Sequence, residues 1–302
     1  MRESLRRAFE TYDVVLEPDR NEPEWWAGAP SVTLGADGAF WLAARMREGT
    51  SPPGERGYEV RLLRSGNGIR FEPVHAISRE ALGVRSVERP ALVHDPHTGL
   101  FKIYLCATRA EGGWHILRLD DAADPARFDP GTARVVVEAP DSWGTGIGPG
   151  FKDPFVLWAE GCWHLYAIGI DRVERVHHFT SDDGEKWTGD PRNPIFDNGG
   201  WHNFYTRPAC VLPMDAGYLF VYEGSHAQWR DPNYNIATGL AYTLDLSHVV
   251  DLTPQEPLVK SGTPGGNHTW RYSHWLRTGG RLFIYAECAR PNDTNEIRLF
   301  RV

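Results

Sequence analysis

Residues 153–166, DPFVLWAEGCWHLY, contain the unit that decides the fold of this 302-residue chain. A proline opens a short apolar stretch, a glycine turn follows, and a second stretch rich in aromatic residues returns. Two such stretches joined by a glycine-containing turn are typical of a β-hairpin. The unit occurs five times, at residues 29–43, 89–105, 153–166, 207–222 and 272–285, with serine replacing proline in the last copy. The sequence therefore predicts five related β units.

The spacing of these units leaves room for four strands in each. Successive prolines at 30, 90, 154 and 208 are 60, 64 and 54 residues apart, and Ser273 lies 65 residues after Pro208. Third strands are predicted at residues 58–65 and 176–181, each followed by an Asn-Gly or Asp-Gly turn in which glycine supplies the positive φ. Fourth strands are predicted at residues 135–138 and 193–196. The pattern predicts an all-β fold, a five-bladed β-propeller with four-stranded blades.

The two chain ends are expected to meet in the last blade. Residues 295–302 resemble a third strand, and no fourth strand follows them. Residues 14–18, VVLEP, resemble the predicted fourth strand VVVEA at residues 135–139. We therefore expect the N-terminal strand to complete blade five and close the ring, which would remove exposed sheet edges. One domain would then cover residues 1–302, and a β-sandwich with accidental similarity is the alternative.

Composition argues against several functional classes. The net charge is −8, from 32 basic and 40 acidic residues, and no basic run suits nucleic acid. No window approaches 18 consecutive apolar residues, which argues against a membrane span. The start, MRESLRRAF, lacks the apolar stretch of a signal peptide. The four cysteines form no CxxC pair and are expected as buried thiols in a reducing cytoplasm: Cys106, Cys162, Cys210 and Cys288.

Five repeats of this length, with Asp-Pro opening the third, resemble the propeller glycoside hydrolases of families 43, 32 and 68. Family 130, the mannoside phosphorylases and hydrolases, shares that propeller. In families 43 and 32 the resemblance implies an axial site with three carboxylates: an Asp base or nucleophile in blade one, a transition-state-stabilising Asp in blade three and a Glu acid in blade four.

The motifs of this chain match that pattern at one of its three positions. Residues 151–154, Phe-Lys-Asp-Pro, resemble the blade-three motif with lysine in place of arginine. Blade one has Ala29-Pro30 where the family has Asp-Pro, and blade four has Arg207-Pro208 without the glutamate. Blade two has Glu88-Arg89-Pro90 where family 130 has Glu-Asp-Pro-Arg. The resemblance implies the superfamily without assigning a family.

Three carboxylates are the predicted catalytic residues. Glycoside hydrolysis needs a carboxylic acid to protonate the leaving oxygen and a carboxylate that attacks or activates water. Asp153 follows from the resemblance. Glu223 and Glu287 lie at similar places near the ends of the second strands of blades four and five. One is expected as the acid, and the other as a hydroxyl-binding residue or a structural ion-pair partner.

A wider set is predicted to bind substrate. Guanidinium groups around an axis could bind a carboxylate or phosphate, so the substrate could be an acidic sugar or phosphate a co-substrate. Alternatively, these arginines pair with carboxylates and hold the blades in register. The set is Trp26, Arg45, Glu88, Arg89, Arg207, Tyr222, His226, Trp270 and His274. No HxH or HExxH spacing indicates a metal, and no cofactor is expected, although some members of the clan carry a calcium-like ion near the axis.

The leading hypothesis is a glycosidase-like enzyme that cleaves or transfers the glycosidic bond of a small glycoside or oligosaccharide in the axial pocket. The absent paired carboxylates keep a second hypothesis open: a propeller of the same superfamily acting as a phosphorylase, lyase, isomerase or cyclase. A sugar-binding protein without catalysis is the third.

Overall fold

The computed structural model describes residues 2–144 and 148–302, and these residues form mainly β-strands. Helices are short: α1 is Arg2–Ala8, α2 is Arg79–Leu82, and 3-10 turns occupy residues 125–127, 130–132 and 141–143. Within the described ranges, no helix is both long enough and apolar enough to cross a membrane.

Twenty strands occur in the described residues. β1 is Asp13–Leu16, and the others form five consecutive groups, called units one to five. Unit one contains β2 Trp26–Leu34, β3 Phe40–Arg47, β4 Gly57–Ser65 and β5 Glu72–Ser78. Unit two contains β6 Val87–His94, β7 Phe101–Thr108, β8 Trp114–Arg118 and β9 Arg134–Val137. Unit three contains β10 Gly150–Ala159, β11 Cys162–Ile170, β12 Glu174–Ser181 and β13 Thr188–Gly189. Unit four contains β14 Tyr205–Pro213, β15 Tyr218–Ser225, β16 Ala237–Thr243 and β17 Val250–Asp251. Unit five contains β18 Trp270–Thr278, β19 Arg281–Ala289 and β20 Asn295–Arg301.

Strands that follow one another within a unit pair antiparallel. β1 pairs antiparallel with β20, so the first strand of the chain is the outer strand of unit five. Single parallel bridges join neighbouring units at Trp26 and Asn295, Gly150 and Trp114, and Glu174 and Tyr205. The first strands of consecutive units contact each other, and β18 of unit five also contacts β2 of unit one.

Three tyrosines on the second strands of units two, three and five each tie their unit to the following one. Their hydroxyl groups donate to carbonyl oxygens in the turn after the third strand of the following unit. The bonds are Tyr104 to Gly184, Tyr166 to Leu246 and Tyr285 to Gly68, each 2.7 Å long. The last of these joins unit five to unit one. Each buried bond contributes about 1 kcal/mol net, so the contacts between units are directional as well as apolar.

The apolar core lies between the units. Large side chains from facing strands fill it, including Phe220 and Tyr222 of unit four and Leu42 of unit one. All four cysteines are free thiols, and three of them are buried, whereas Cys162 is half-buried. Thiols of this kind behave as small apolar groups, which agrees with the expectation from the sequence.

Every first strand contains a β-bulge near its start. The pairing register shifts between residues 28 and 31, 87 and 90, 152 and 155, 208 and 210, and 271 and 274. Three non-glycine residues at these bulges have positive φ: Ala29 at 49°, Asp153 at 55° and Tyr272 at 52°. Bulges re-aim side chains and are common beside functional sites. The repeated bulge brings polar residues of different units together.

Candidate active site

A buried charged cluster forms where the first strands bulge. Arg89, Asp153 and Arg207 each precede the proline of their strand, and all three are buried. Tyr272 of unit five donates a 2.9 Å hydrogen bond to Oδ2 of Asp153 in unit three. The Arg89 guanidinium of unit two lies 5.6 Å from the Tyr272 ring centroid. Residues from three units therefore meet at this point.

Asp153 is the carboxylate that the sequence places most directly, and it is 0% exposed. The Lys152 ammonium lies 3.6 Å from its Oδ2. Burial alone would raise the pKa of the Asp153 carboxyl. The cations Lys152, Arg207 and Arg89 outweigh burial, so the net effect is a lowered pKa. Its second oxygen, Oδ1, is buried without a hydrogen-bond partner among the described residues.

Glu223 has the opposite electrostatic character. It is also 0% exposed, and its Oε1 accepts a 3.0 Å hydrogen bond from the Ser273 backbone N–H. Its Oε2 is buried with no partner in the described part of the chain. Burial raises the pKa of Glu223 to about 7, although Arg89 and Arg207 oppose that shift. The group is therefore partly protonated near neutral pH.

Asp153 and Glu223 are both influenced by Arg89 and Arg207, and their pKa values are shifted in opposite directions. They are held by adjacent residues of unit five, Tyr272 and Ser273, and each keeps one unpaired oxygen. One carboxyl that stays ionised and one that is easily protonated are the groups needed for acid–base work on an oxygen leaving group. Buried polar atoms without partners are uncommon in proteins and call for an explanation.

Glu287 has a different environment, which favours the structural ion-pair role that was the alternative for one of the two glutamates. Its Oε1 accepts bonds from Arg271 at 2.9 and 3.1 Å and from Asn295 at 2.6 Å. Its Oε2 accepts a 2.7 Å bond from Arg45 and a 3.0 Å bond from the Ala29 backbone N–H. Arg271 and Arg45 keep the pKa of Glu287 lowered despite burial. With both oxygens occupied by cations and N–H groups, Glu287 holds units one and five together.

The predicted arginines also hold units together, which was the alternative interpretation. Arg45 bridges Glu88 and Glu287 at 2.8 and 2.7 Å. Arg207 pairs with Glu174 at the start of β12. Arg89 donates to the carbonyl oxygens of residues 208 and 209 on β14. Glu88 is paired with Arg45 of the neighbouring unit rather than with adjacent Arg89.

The side chains of three predicted substrate-binding residues have partners outside this cluster. The Tyr222 hydroxyl donates to Asp251 at 2.8 Å, and its ring packs between units three and four. Trp270 is buried against aromatic rings of the N-terminal and C-terminal segments. His226 is in the loop after β15, where its Nδ1 accepts from the Gln228 backbone N–H at 3.1 Å. Adjacent Tyr222 and Glu223 could not both face the cluster, because alternate strand residues face opposite sides.

His274 lies beyond the bulge, towards the opposite end of the first strands. Burial, and then Arg89, lower its pKa to about 3, and its Nδ1 is buried without a partner. It lines a largely apolar cavity of about 490 Å³ formed by all five first strands. Substrate reaching the charged cluster from the start of the strands would not contact that cavity.

Several residues of the charged end were not predicted from the sequence. Lys152 is part of the blade-three motif but is not among the predicted site residues. The other members of this end that the sequence does not predict are Arg47, Glu174, Tyr205 and Tyr234. Arg47 lies two residues after Arg45, and the period of two along a strand was a signal that both share one face. Tyr234 lies in a loop, for which no such period exists. The predicted Trp26 does belong to this end, with the Arg47 guanidinium 4.2 Å from its ring centroid.

Among the described residues, no group of three or more His, Cys, Asp or Glu side chains is arranged to hold a metal ion. The carboxylates of the cluster are paired with arginine and lysine side chains instead. The arrangement therefore offers proton donors, proton acceptors and fixed cations.

Comparison with known proteins gives similarity of structure alone. No family model and no curated protein sequence matches the chain. A solved structure described as a glycoside hydrolase covers 100% of this chain and 95% of its own, with TM-score 0.74 and 14% identity. A second solved structure covers 96% of this chain and 93% of its own, with TM-score 0.67 and 16% identity. It belongs to the GH130 family, which is described as mannoside phosphorylases and as containing hydrolases that target β-1,2-mannosidic linkages in Candida mannan.

An α-L-arabinofuranosidase from Lactobacillus brevis covers 96% of this chain and 92% of its own, with TM-score 0.65 and 14% identity. At such identities the likeness establishes the fold and does not establish the reaction or the substrate. The chain therefore shares its fold with these solved glycoside hydrolase structures.

Proposed function

We propose that this chain is a glycosidase-like enzyme built as a closed five-bladed propeller, acting on a small glycoside or oligosaccharide where its first strands begin. Ring closure is supported by the contact of β18 with β2 and by the hydrogen bond from Tyr285 to Gly68. The free thiols fit the predicted cytoplasmic location. Asp153 and Glu223 are the proposed catalytic pair.

One observation carries the proposal: the paired carboxyls differ in pKa, and each keeps an unpaired buried oxygen. Glu223, with a pKa of about 7, retains a proton near neutral pH and would donate it to the leaving oxygen. Asp153, held ionised by its cations, would stabilise the positive charge at the anomeric carbon, attack it or activate water.

Access to this pair requires a side chain to move, because both carboxyls are 0% exposed. The Lys152 side chain is 15% exposed and lies 3.6 Å from Asp153. Lys152 is therefore a partly exposed group directly beside Asp153. We expect the sugar to displace the Lys152 ammonium. The sugar would then form hydrogen bonds with Oδ1 of Asp153 and Oε2 of Glu223, which have no partner without it.

A second candidate is phosphorolysis or another non-hydrolytic reaction of the same bond. The specific observation in its favour is the replacement of the blade-one Asp by Ala29, which removes the carboxylate that serves as base or nucleophile in the resembling families. In a phosphorylase, phosphate takes the place of the attacking water.

The test is turnover of a panel of chromogenic glycosides, with and without inorganic phosphate, by wild type and two variants. Asp153→Asn and Glu223→Gln should each reduce kcat at least ~100-fold, the usual scale for acid–base roles. Asp37→Asn, which alters an exposed carboxylate paired with Arg64, is the matched control and should leave kcat unchanged. Release of free sugar without phosphate indicates hydrolysis, and release only with phosphate indicates phosphorolysis. Near-wild-type rates in both site variants would reject the assignment.

A further inference from the structure

Arg47, the last residue of β3, is a buried cation without an anion. It is 8% exposed, and no carboxylate lies within 4.0 Å of it in the described part of the chain. Its guanidinium donates one long bond, 3.4 Å, to the Tyr234 hydroxyl, and its Nε is buried without a partner. Arg45, two residues earlier, is paired with both Glu88 and Glu287. A buried, unpaired charge is costly, so Arg47 is the exception to be explained.

Aromatic rings hold the Arg47 guanidinium without satisfying its N–H groups. The guanidinium carbon lies 4.2 Å from the Trp26 ring centroid and 5.6 Å from that of Tyr234. The Trp26 indole is fixed in turn by a 3.0 Å bond from Nε1 to the Asp293 carbonyl oxygen. Because guanidinium N–H groups lie in the plane of the group, stacked rings leave them free for oxygen acceptors.

The charges around Arg47 favour an added anion. Burial lowers the pKa of Arg47, and Arg45 and Arg271 lower it further, although Glu88 opposes them. The cluster contains six cations: Arg45, Arg47, Arg89, Lys152, Arg207 and Arg271. Its carboxylates are Glu88, Asp153, Glu174 and Glu287, with Glu223 partly protonated. Arg89 also lacks a carboxylate partner and its Nε is buried without a hydrogen-bond partner, but two of its N–H groups donate to backbone carbonyl oxygens. Arg47 is therefore the cation of the described cluster with neither a carboxylate within 4.0 Å nor a backbone carbonyl acceptor.

We propose that Arg47 binds the carboxylate of an acidic sugar, so that the substrate of this enzyme contains a uronic acid unit. A uronate carries one carboxylate, which suits the N–H groups that Arg47 leaves without an oxygen acceptor. The two arginines that act on Arg47 electrostatically, Arg45 and Arg271, are both paired with Glu287, so an anion at this point meets one free guanidinium, and this favours a singly charged carboxylate over a phosphate dianion. The use of this subsite in turnover rests on the proposed function, but binding of the uronate itself does not.

The experiment measures binding without catalysis. D-glucuronate and D-galacturonate are titrated into the wild-type chain by calorimetry, with D-glucose and D-galactose as neutral matches. Free sugars present both anomers in solution, so the unknown anomeric preference does not matter. We expect the uronates to bind at least ~10-fold more tightly than their neutral matches, the scale of one charge-assisted contact.

Two variants assign the preference to Arg47. In Arg47→Gln the uronate preference should fall to within about twofold, and in Arg47→Lys, which keeps the charge but loses the planar fork, it should be reduced. Arg64→Gln is the matched control, because Arg64 also lies over a tryptophan, Trp41, but is exposed and paired with Asp37. That variant should keep the full preference. If Arg47→Gln fails to fold, the inference is tested by the wild-type preference for uronates and by its reduction in Arg47→Lys.

Equal binding of uronates and neutral sugars by wild type would overturn the inference, and so would an unchanged preference in the folded variants. Competition by inorganic phosphate with no uronate preference would also overturn it, in favour of a site for a free co-substrate anion. Uronate binding through Arg47 without cleavage of any glycoside would leave this inference standing while rejecting the proposed catalysis. Cleavage of a glycoside without any preference for uronates would support the proposed catalysis and reject this inference.

Discussion

Glu223 and Glu287 lie two residues before the ends of the second strands of adjacent units, yet their hydrogen bonds and pKa shifts differ. Glu287 accepts five hydrogen bonds, three of them from two arginines, and its pKa is lowered. Glu223 accepts one bond, from the backbone of Ser273, and its pKa is raised to about 7. The same place in the repeat therefore holds an ion-paired glutamate in unit five and, in unit four, the glutamate that we propose as the proton donor. Incomplete hydrogen bonding, rather than burial, distinguishes the residue suited to chemistry.

The largest effect should come from Glu287→Gln. Removing the charge leaves Arg271 buried without an ion pair and Arg45 with only Glu88, so we expect the free energy of unfolding to fall by about 3–5 kcal/mol. Urea denaturation at pH 8 measures the change. Glu223→Gln is the matched control on the neighbouring unit, and it should not destabilise at that pH. Equal losses in the two variants would abolish the distinction between the two glutamates.

A second effect is the pH dependence of Glu223→Gln. The pKa of Glu223 is raised from 4.5 in the unfolded chain to about 7 in the folded one, so its ionisation opposes folding as the pH rises through this interval. The glutamine variant cannot ionise. Relative to wild type it should gain about 2–3 kcal/mol between pH 5 and pH 8. Urea denaturation at the two pH values checks this, and a constant difference would contradict the raised pKa.

The smallest effect should come from Tyr272→Phe, which removes the hydrogen bond to Asp153 and leaves the ring in place. We expect a loss of about 1 kcal/mol in stability and a rise in the pKa of Asp153, visible as an upward shift of the acidic limb of the pH–rate profile. Tyr104→Phe loses a similar buried bond to a carbonyl oxygen distant from Asp153. That variant should match the stability loss without moving the acidic limb.

The strands were largely predictable from the sequence because they follow from local patterns. The predicted third strand at 58–65 corresponds to β4 at Gly57–Ser65, and the predicted fourth strand at 135–138 corresponds to β9 at Arg134–Val137. The predicted fourth strand at 193–196 agrees less well with the structure. The fourth strand there is Thr188–Gly189, and within 193–196 only Phe196 forms a β-bridge in the described residues. Turn glycines and apolar runs carry information about neighbours in sequence.

The site was predictable only in part, because its character depends on partners from other units. Asp153 could be placed by its motif, and Glu223 by its position at a strand end. That Glu287 would be saturated by Arg45 and Arg271, and Glu223 left with one donor, depends on packing between units. Arg47 was missed for the same reason: its exceptional feature is an absent partner, which the sequence does not record.

The most direct test of the central claim is a crystal structure of the Asp153→Asn variant with a glycoside from the turnover panel bound. The account predicts that the glycosidic oxygen lies within hydrogen-bond distance of Glu223 Oε2 and that the anomeric carbon faces residue 153. A sugar bound instead in the apolar cavity beside His274, with neither carboxyl position in contact with it, would contradict the account.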